Sequence, residues 1–196
     1  GSYLAGGQNP PHDVYTVTAP IAAGSFSGLL LDTLPDESLP MKSLGRFSNG
    51  NFVLSRVEAE ITSPDLTSPL VAKFVRAEAT YSQKGWEIGL VLDDAPSNGW
   101  AVDAHRVPGG RVALFLADEP FGFAGGTELV VHLVYRSVYA QHAFGRVRLT
   151  LGANGVSTGA AVPVNSFASV GGHSTRTIVF GADSAMYVAV GSSCNL

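Results

Sequence analysis

Apolar and polar residues alternate over short stretches of this chain. They seldom recur at the spacing of three and four that an amphipathic helix requires. The runs "VYTVTA", "SGLLLDTL", "NFVLSRVEAEI", "AKFVRAEA", "RVALFLA", "ELVVHLVYRSV" and "GRVRLTL" carry β-branched and aromatic residues suited to a pleated, half-buried strand. Between them lie "LPDESLPMKSLG", "TSPDLTSPL", "DDAPSNG", "VPGG" and "FAGG", built from residues that fix or tolerate tight turns. No capping box introduces a long periodic run. Many short strands with turn signals between them predict an all-β fold, an antiparallel β-sandwich of jelly-roll type.

Side chains alternate across a strand, so each run has two readable faces. In "ELVVHLVYR" one face is Leu129, Val131, Leu133 and Tyr135, and the other is Val130, His132, Val134 and Arg136. In "GRVRLTL" Val147, Leu149 and Leu151 face one way, and Arg146, Arg148 and Thr150 the other. Paired as a hairpin, the two runs would present a strip of His132, Arg136, Arg146 and Arg148. That strip reads either as an ordinary solvated face or as one wall of a sugar-binding groove. After Leu151 the residues become small and polar, "GANGVSTGAAVPVNS", as in a linker or long loop. Two apolar runs then flank "GADS" in "TRTIVFGADSAMYVAVGSS", a hairpin signal. The organisation expected is an N-terminal extension over 1–14, a sandwich over 15–151, a linker over 152–170 and a hairpin tail over 171–196.

Composition supports a packed domain: 196 residues, 45% hydrophobic and only 14% charged. The formal net charge is -4 and the basic residues are scattered singly. A duplex nucleic-acid binder usually carries a basic stripe, so nucleic acid is not an expected partner. No apolar run approaches the roughly 20 residues of a membrane span, so membrane insertion is not expected either. The one cysteine, Cys194, permits no internal disulfide. The leading Gly1-Ser2 reads as a cloning scar on an excised domain, which would lack any export signal.

Chemistry-bearing motifs are sparse. The five histidines, His12, His105, His132, His142 and His173, lack the spacing of a metal-binding helix. The chain holds no phosphate loop. Cys194 has no haem-attachment context. Together these predict a chain that is not an enzyme.

A family resemblance sharpens the reading. "LLLDTLPDESLPMKSLGRFSNGNFVLSRVEAE", "ATYSQKGWEIGLVLDDAPSNGWAVD", "GGRVALFLADEPFGFAGGTELVVHLVYRS" and "QHAFGRVRLTL" resemble, in order and spacing, a segment of large exported proteins of planctomycete-type bacteria. In those proteins the segment lies beside c-type cytochrome domains. The resemblance spans roughly Tyr15 to Leu151. The segment in turn looks like the galactose-binding-like, discoidin-type β-sandwich, in which a strand runs into an aspartate-bearing turn and then a Trp. Here that piece is "LVLDDAPSNGW". The resemblance implies an exported, periplasmic or extracellular module that binds polysaccharide or glycan and adjoins other domains of its parent protein. The alternative is a structural spacer or protein-docking domain that binds no sugar.

The same resemblance suggests site residues. In calcium-bearing discoidin-type modules the turn aspartate supplies a metal oxygen. The matching residue is Asp93, with Asp94 and Asn98 beside it. Asp94 stands where the family usually has Gly, and Asn98 where many members have a hydroxyl residue. Calcium takes about six to eight oxygen ligands, and the other reading is that these aspartates only fix a turn. Trp100 follows directly and is expected to pack into the core edge. Trp86, in the loop "SQKGWE", falls at the sugar-binding end of such modules. Its indole could stack on a sugar's C–H face while Gln83 and Lys84 bond hydroxyls. Tyr139 and His142, in "SVYAQHAFGR", could converge on the same end, with Arg146 contributing from the polar strip. Partial burial at a strand end is the plainer reading for each ring.

The tail carries a second resemblance. "GGHSTRTIVFGADSAMYVAVGSSCN" is similar to one strand pair of soluble pyrroloquinoline-quinone (PQQ) glucose and sorbosone dehydrogenases. The match puts His173 and Arg176 at that family's His and Arg positions. One hairpin cannot build a propeller, so this chain alone is expected to bind neither PQQ nor haem.

Overall fold

The structure, a computed structural model, describes residues 2–93, 95, 97–153, 177–180 and 186–189, the last two segments as backbone strands. Two antiparallel sheets pack face to face as a β-sandwich. Strands β1 (Tyr3–Leu4), β2 (Asp13–Ile21), β3 (Phe26–Leu34), β4 (Arg56–Thr62), β5 (Leu70–Val71), β6 (Phe74–Ala79), β7 (Arg111–Phe121), β8 (Thr127–Tyr135) and β9 (Arg146–Ala153) build it. The five-stranded sheet runs β1-β9-β3-β7-β6 and the four-stranded sheet β2-β8-β4-β5. Two further strands, β10 (Thr177–Phe180) and β11 (Met186–Ala189), pair antiparallel with each other. The described residues contain no α-helix, only short 3-10 turns at Pro40–Lys42 and Ile88–Leu92. Among the described residues no helix is long and apolar enough to cross a membrane.

Alternation explains the layers. In β4, Val57, Ala59 and Ile61 are buried while Arg56, Glu58 and Glu60 are only partly covered. In β8, Leu129, Val131, Leu133 and Tyr135 are buried. Cross-strand register places Val57 opposite Leu133, Ala59 opposite Val131 and Ile61 opposite Leu129. Leu29 and Leu31 of β3 and Ala113 and Phe115 of β7 meet this face from the other sheet, in one core cluster. One end of the core is plugged by aromatic rings. Phe52 lies edge-on to Trp100 at 5.1 Å and to Phe144 at 4.3 Å. Trp100 is fully buried, and its indole Nε1–H donates to the Tyr81 carbonyl at 3.0 Å.

Two expectations from the sequence are corrected. First, β8 and β9 are not a hairpin: β8 sits between β2 and β4, and β9 between β1 and β3 in the other sheet. The connection 136–145 crosses the end of the sandwich instead of reversing within one sheet. The strip of four basic residues is therefore divided. His132 and Arg136 belong to β8 and its end, where the His132 Nδ1 lies 3.0 Å from the Thr16 hydroxyl. Arg148 donates to Asp32 at 2.8 Å and Arg146 to Asp36 at 3.1 Å, both on the five-stranded side. Second, the apolar run before the aspartate turn is not a strand but the 3-10 turn Ile88–Leu92, with Ile88 and Val91 buried. The sandwich also reaches beyond 15–151. Tyr3 and Leu4 pair with Val147 and Arg146, β2 begins at Asp13, and Ala153 still pairs with Phe26.

Candidate functional site

At the plugged end, three connections meet above Phe52 and Trp100. The first is a tight turn at Gln83–Trp86, closed by the Trp86 N–H donating to the Gln83 carbonyl at 2.9 Å. Gly85 occupies its third position with φ +80, a left-handed conformation that glycine adopts without steric cost. Nothing lies within 4 Å of where a Cβ would stand, so the backbone angle and not space requires glycine. The Ala101 N–H donates to the Trp86 carbonyl at 3.2 Å, fastening the turn to the strand-like segment after Trp100. The second connection is Ser43–Asn51, folded so closely that a Cβ on Gly45 would stand 1.9 Å from the Asn51 carbonyl oxygen. The third is the crossing segment 136–145, whose His142 carbonyl accepts from the Val53 N–H at 2.9 Å.

These connections bring four rings into a chain. Trp86 and Tyr139 have centroids 5.4 Å apart at 56°, and Tyr139 and His142 are 5.6 Å apart at 51°. Phe47 stacks on His142 at 4.2 Å and 24°. Tyr139 is 50% exposed and its neighbour Val138 70%, while Trp86 is half-buried and His142 is buried. The His142 Nδ1–H donates to the Ala140 carbonyl at 2.8 Å. That bond leaves Nε2 as the acceptor of the neutral ring, 3.5 Å from the Asn49 amide nitrogen. Burial holds the imidazole pKa below its ordinary 6.5, with the Ala140 bond opposing in part.

The remaining residues suggested by the sequence fall elsewhere. Gln83 turns inward: its Oε1 accepts from the Asn51 amide at 3.3 Å and from the Asp103 N–H at 3.2 Å. It braces the loops under the rings. Lys84 stands exposed at the tip of its turn. Arg146 is engaged by Asp36 and Ser2. Asp93 is exposed at the end of the 3-10 turn, and the Asn98 N–H donates to the Ala95 carbonyl at 3.2 Å. Asp94, like His173, Arg176 and Cys194, lies outside the described residues. Among the described residues no group of three or more His, Cys, Asp or Glu side chains could share a metal ion. Sequence reasoning missed Phe47 and Asn49. An Asn-Gly turn in "FSNGN" signals a loop but not that its aromatic residue stacks on a histidine about a hundred positions away.

Two grooves lie apart from the rings. One, about 280 Å³, runs over the outer face of the four-stranded sheet past Arg56, Glu58, Glu60, Asp93, His132 and Arg136. The other, about 510 Å³, lies between β2 and the N-terminal residues, with Tyr3, Leu4, Tyr15 and Arg46 in its walls. Comparison with protein-family models, curated proteins and solved structures finds no match to this chain.

Proposed function

We propose that this chain is a non-catalytic carbohydrate-binding module that tethers an exported bacterial redox protein to polysaccharide or glycan. The observation that carries the reading is the run of Trp86, Tyr139 and His142 at one end of the sandwich, with Tyr139 half exposed. Sugar rings present C–H faces that stack on such surfaces. A rigid indole or phenol offers that contact at small entropic cost, having two side-chain torsions. The Asn49 amide meets the His142 Nε2 acceptor at 3.5 Å, which leaves that amide's second N–H and the exposed Lys84 as donors for sugar hydroxyls. The resemblance to segments beside cytochrome c domains supports the exported setting.

The test is affinity gel electrophoresis with polysaccharides first found positive on a glycan array. A millimolar to micromolar module has about 4 to 8 kcal/mol in total, and a hot-spot aromatic carries about 2 or more. Trp86→Ala is therefore expected to abolish retention while the protein melts cooperatively. Trp100→Ala should instead destabilise by about 3–5 kcal/mol, as loss of a core aromatic does. Unchanged retention in Trp86→Ala would overturn the assignment.

The 70% exposure of Val138 beside Tyr139 favours one second reading, docking of a neighbouring cytochrome or dehydrogenase domain. A blank glycan array, together with weakened binding of that domain in Val138→Lys, would select it. Calcium at the Asp93 turn is a separate proposal, carried by the turn sequence alone. It requires melting in calcium and in chelator to differ by several degrees, with Asp93→Ala erasing the difference.

A further inference from the structure

Residues 5–11 cross the ring-bearing end as a strap before β2 begins. The Ala5 N–H donates to the Gly145 carbonyl at 2.8 Å. The Arg46 guanidinium then grips the next carbonyls, with Nη2 donating to Gly6, Gly7 and Gln8 at 3.3, 2.7 and 2.9 Å. Its Nη1 donates to the Tyr15 hydroxyl at 3.3 Å. Pro10 and Pro11 stiffen the exit, since the ring of each fixes φ.

The strap's other contact is with Gln141, between the two residues that carry the exposed and buried rings of the site. The Gln141 N–H donates to the Pro11 carbonyl at 2.9 Å. Its side-chain Nε2 donates to the Asn9 carbonyl at 2.7 Å, and the Asn9 Nδ2 donates back to the Gln141 carbonyl at 2.9 Å. The same Asn9 nitrogen lies 3.4 Å from the Arg46 carbonyl, tying the strap to the loop that carries Phe47. Gln141 has φ +64, a left-handed conformation that a residue with a Cβ adopts only at a cost. Such a backbone persists when its surroundings over-determine it. Here the strap supplies three hydrogen bonds to that one residue, from 130 or more positions away in sequence.

We propose that the N-terminal strap positions the carbohydrate site: Asn9 and Pro11 hold Gln141 left-handed, and Gln141 thereby sets the placement of Tyr139 and His142 against Trp86 and Phe47. This rests on the function proposed above and adds a pair of positioning residues, Asn9 and Gln141, that touch no sugar. Its physical logic is pre-organisation. The segment 138–141 is exposed throughout, and a binding loop that must be ordered at the moment of contact loses affinity to the ordering.

The experiment compares the unmutated chain with the double variant Asn9→Ala/Gln141→Ala by two measurements that need no glycan. One is the NMR titration of the His142 ring. The other is acrylamide quenching of tryptophan, in which buried Trp100 is silent and Trp86 reports. The double variant is expected to melt cooperatively, to titrate His142 closer to an ordinary imidazole, and to quench more readily. Its retention by a positive polysaccharide should be about ten-fold weaker, the scale of ordering one or two further side chains on binding. Gln141→Met keeps the main-chain bonds and side-chain length but loses the Nε2 donor. It should move the same readouts part of the way, and it decides the matter if the double variant does not fold. An unchanged His142 titration and unchanged quenching would overturn the proposal. If those readouts move but no glycan binds the unmutated chain, the clamp stands and the sugar reading fails.

Discussion

His142 joins the residue-scale chemistry of the ring site to stability. Its ring is buried against Phe47 and donates its one N–H to the Ala140 carbonyl, so charging it means placing a cation where water is scarce. The folded pKa is therefore below the unfolded value of about 6.5. Below that value the unfolded chain takes up a proton before the folded chain does. Stability is thus fully present above the unfolded pKa and is lost as pH falls from there toward the folded pKa. Melting of the unmutated chain should accordingly drop further between pH 7.5 and pH 5 than melting of His142→Gln. Equal drops would show that the imidazole titrates as an exposed one does.

Elements carry the rings by backbone geometry as much as by packing. Gly85 shows this most directly, because its φ of +80 aims Trp86 while its surroundings leave a side chain ample room. Gly85→Ala should cost about 1–2 kcal/mol, the scale of the left-handed penalty for a residue with a Cβ. Gly85→Asn should cost less, since asparagine tolerates that region. Chemical denaturation of both variants checks the order; equal stability of all three would mean the turn relaxes freely.

The alternation of apolar positions also worked at this scale, within a limit. It marks which side of a strand faces the core, and Val57, Ala59 and Ile61 or Leu129, Val131 and Leu133 were legible that way. It does not say which strand lies alongside, so β8 and β9 could be read as partners although they belong to opposite sheets. Nor does a short apolar run separate a strand from a 3-10 turn, as Ile88–Leu92 shows. The two residues of β1 are too few for any periodicity. Among the site residues, Trp86, Tyr139 and His142 stand in readable loops. Phe47, the strap and the inward turn of Gln83 depend on contacts far apart in the chain, which a local pattern cannot encode.

As a whole molecule, the sandwich closes its core with strands that end at Ala153. Among the described residues β10 and β11 form a two-stranded sheet of their own, and a two-stranded hairpin contributes little stability alone. A chain cut after Asn154 should therefore unfold in one cooperative transition, with a midpoint in urea close to that of the full chain. A molten or insoluble product would show that the later residues complete the core.

The claim that glycan meets the rings at the loop end is tested most directly by an NMR titration with an oligosaccharide from a positive polysaccharide. The Trp86 indole N–H and the main-chain amides of Tyr139 and His142 should shift with saturation. The Trp100 indole N–H, bonded to the Tyr81 carbonyl inside the core, should hold still. Shifts confined to the groove of Glu58, His132 and Arg136, or no shift at saturating sugar, would contradict it.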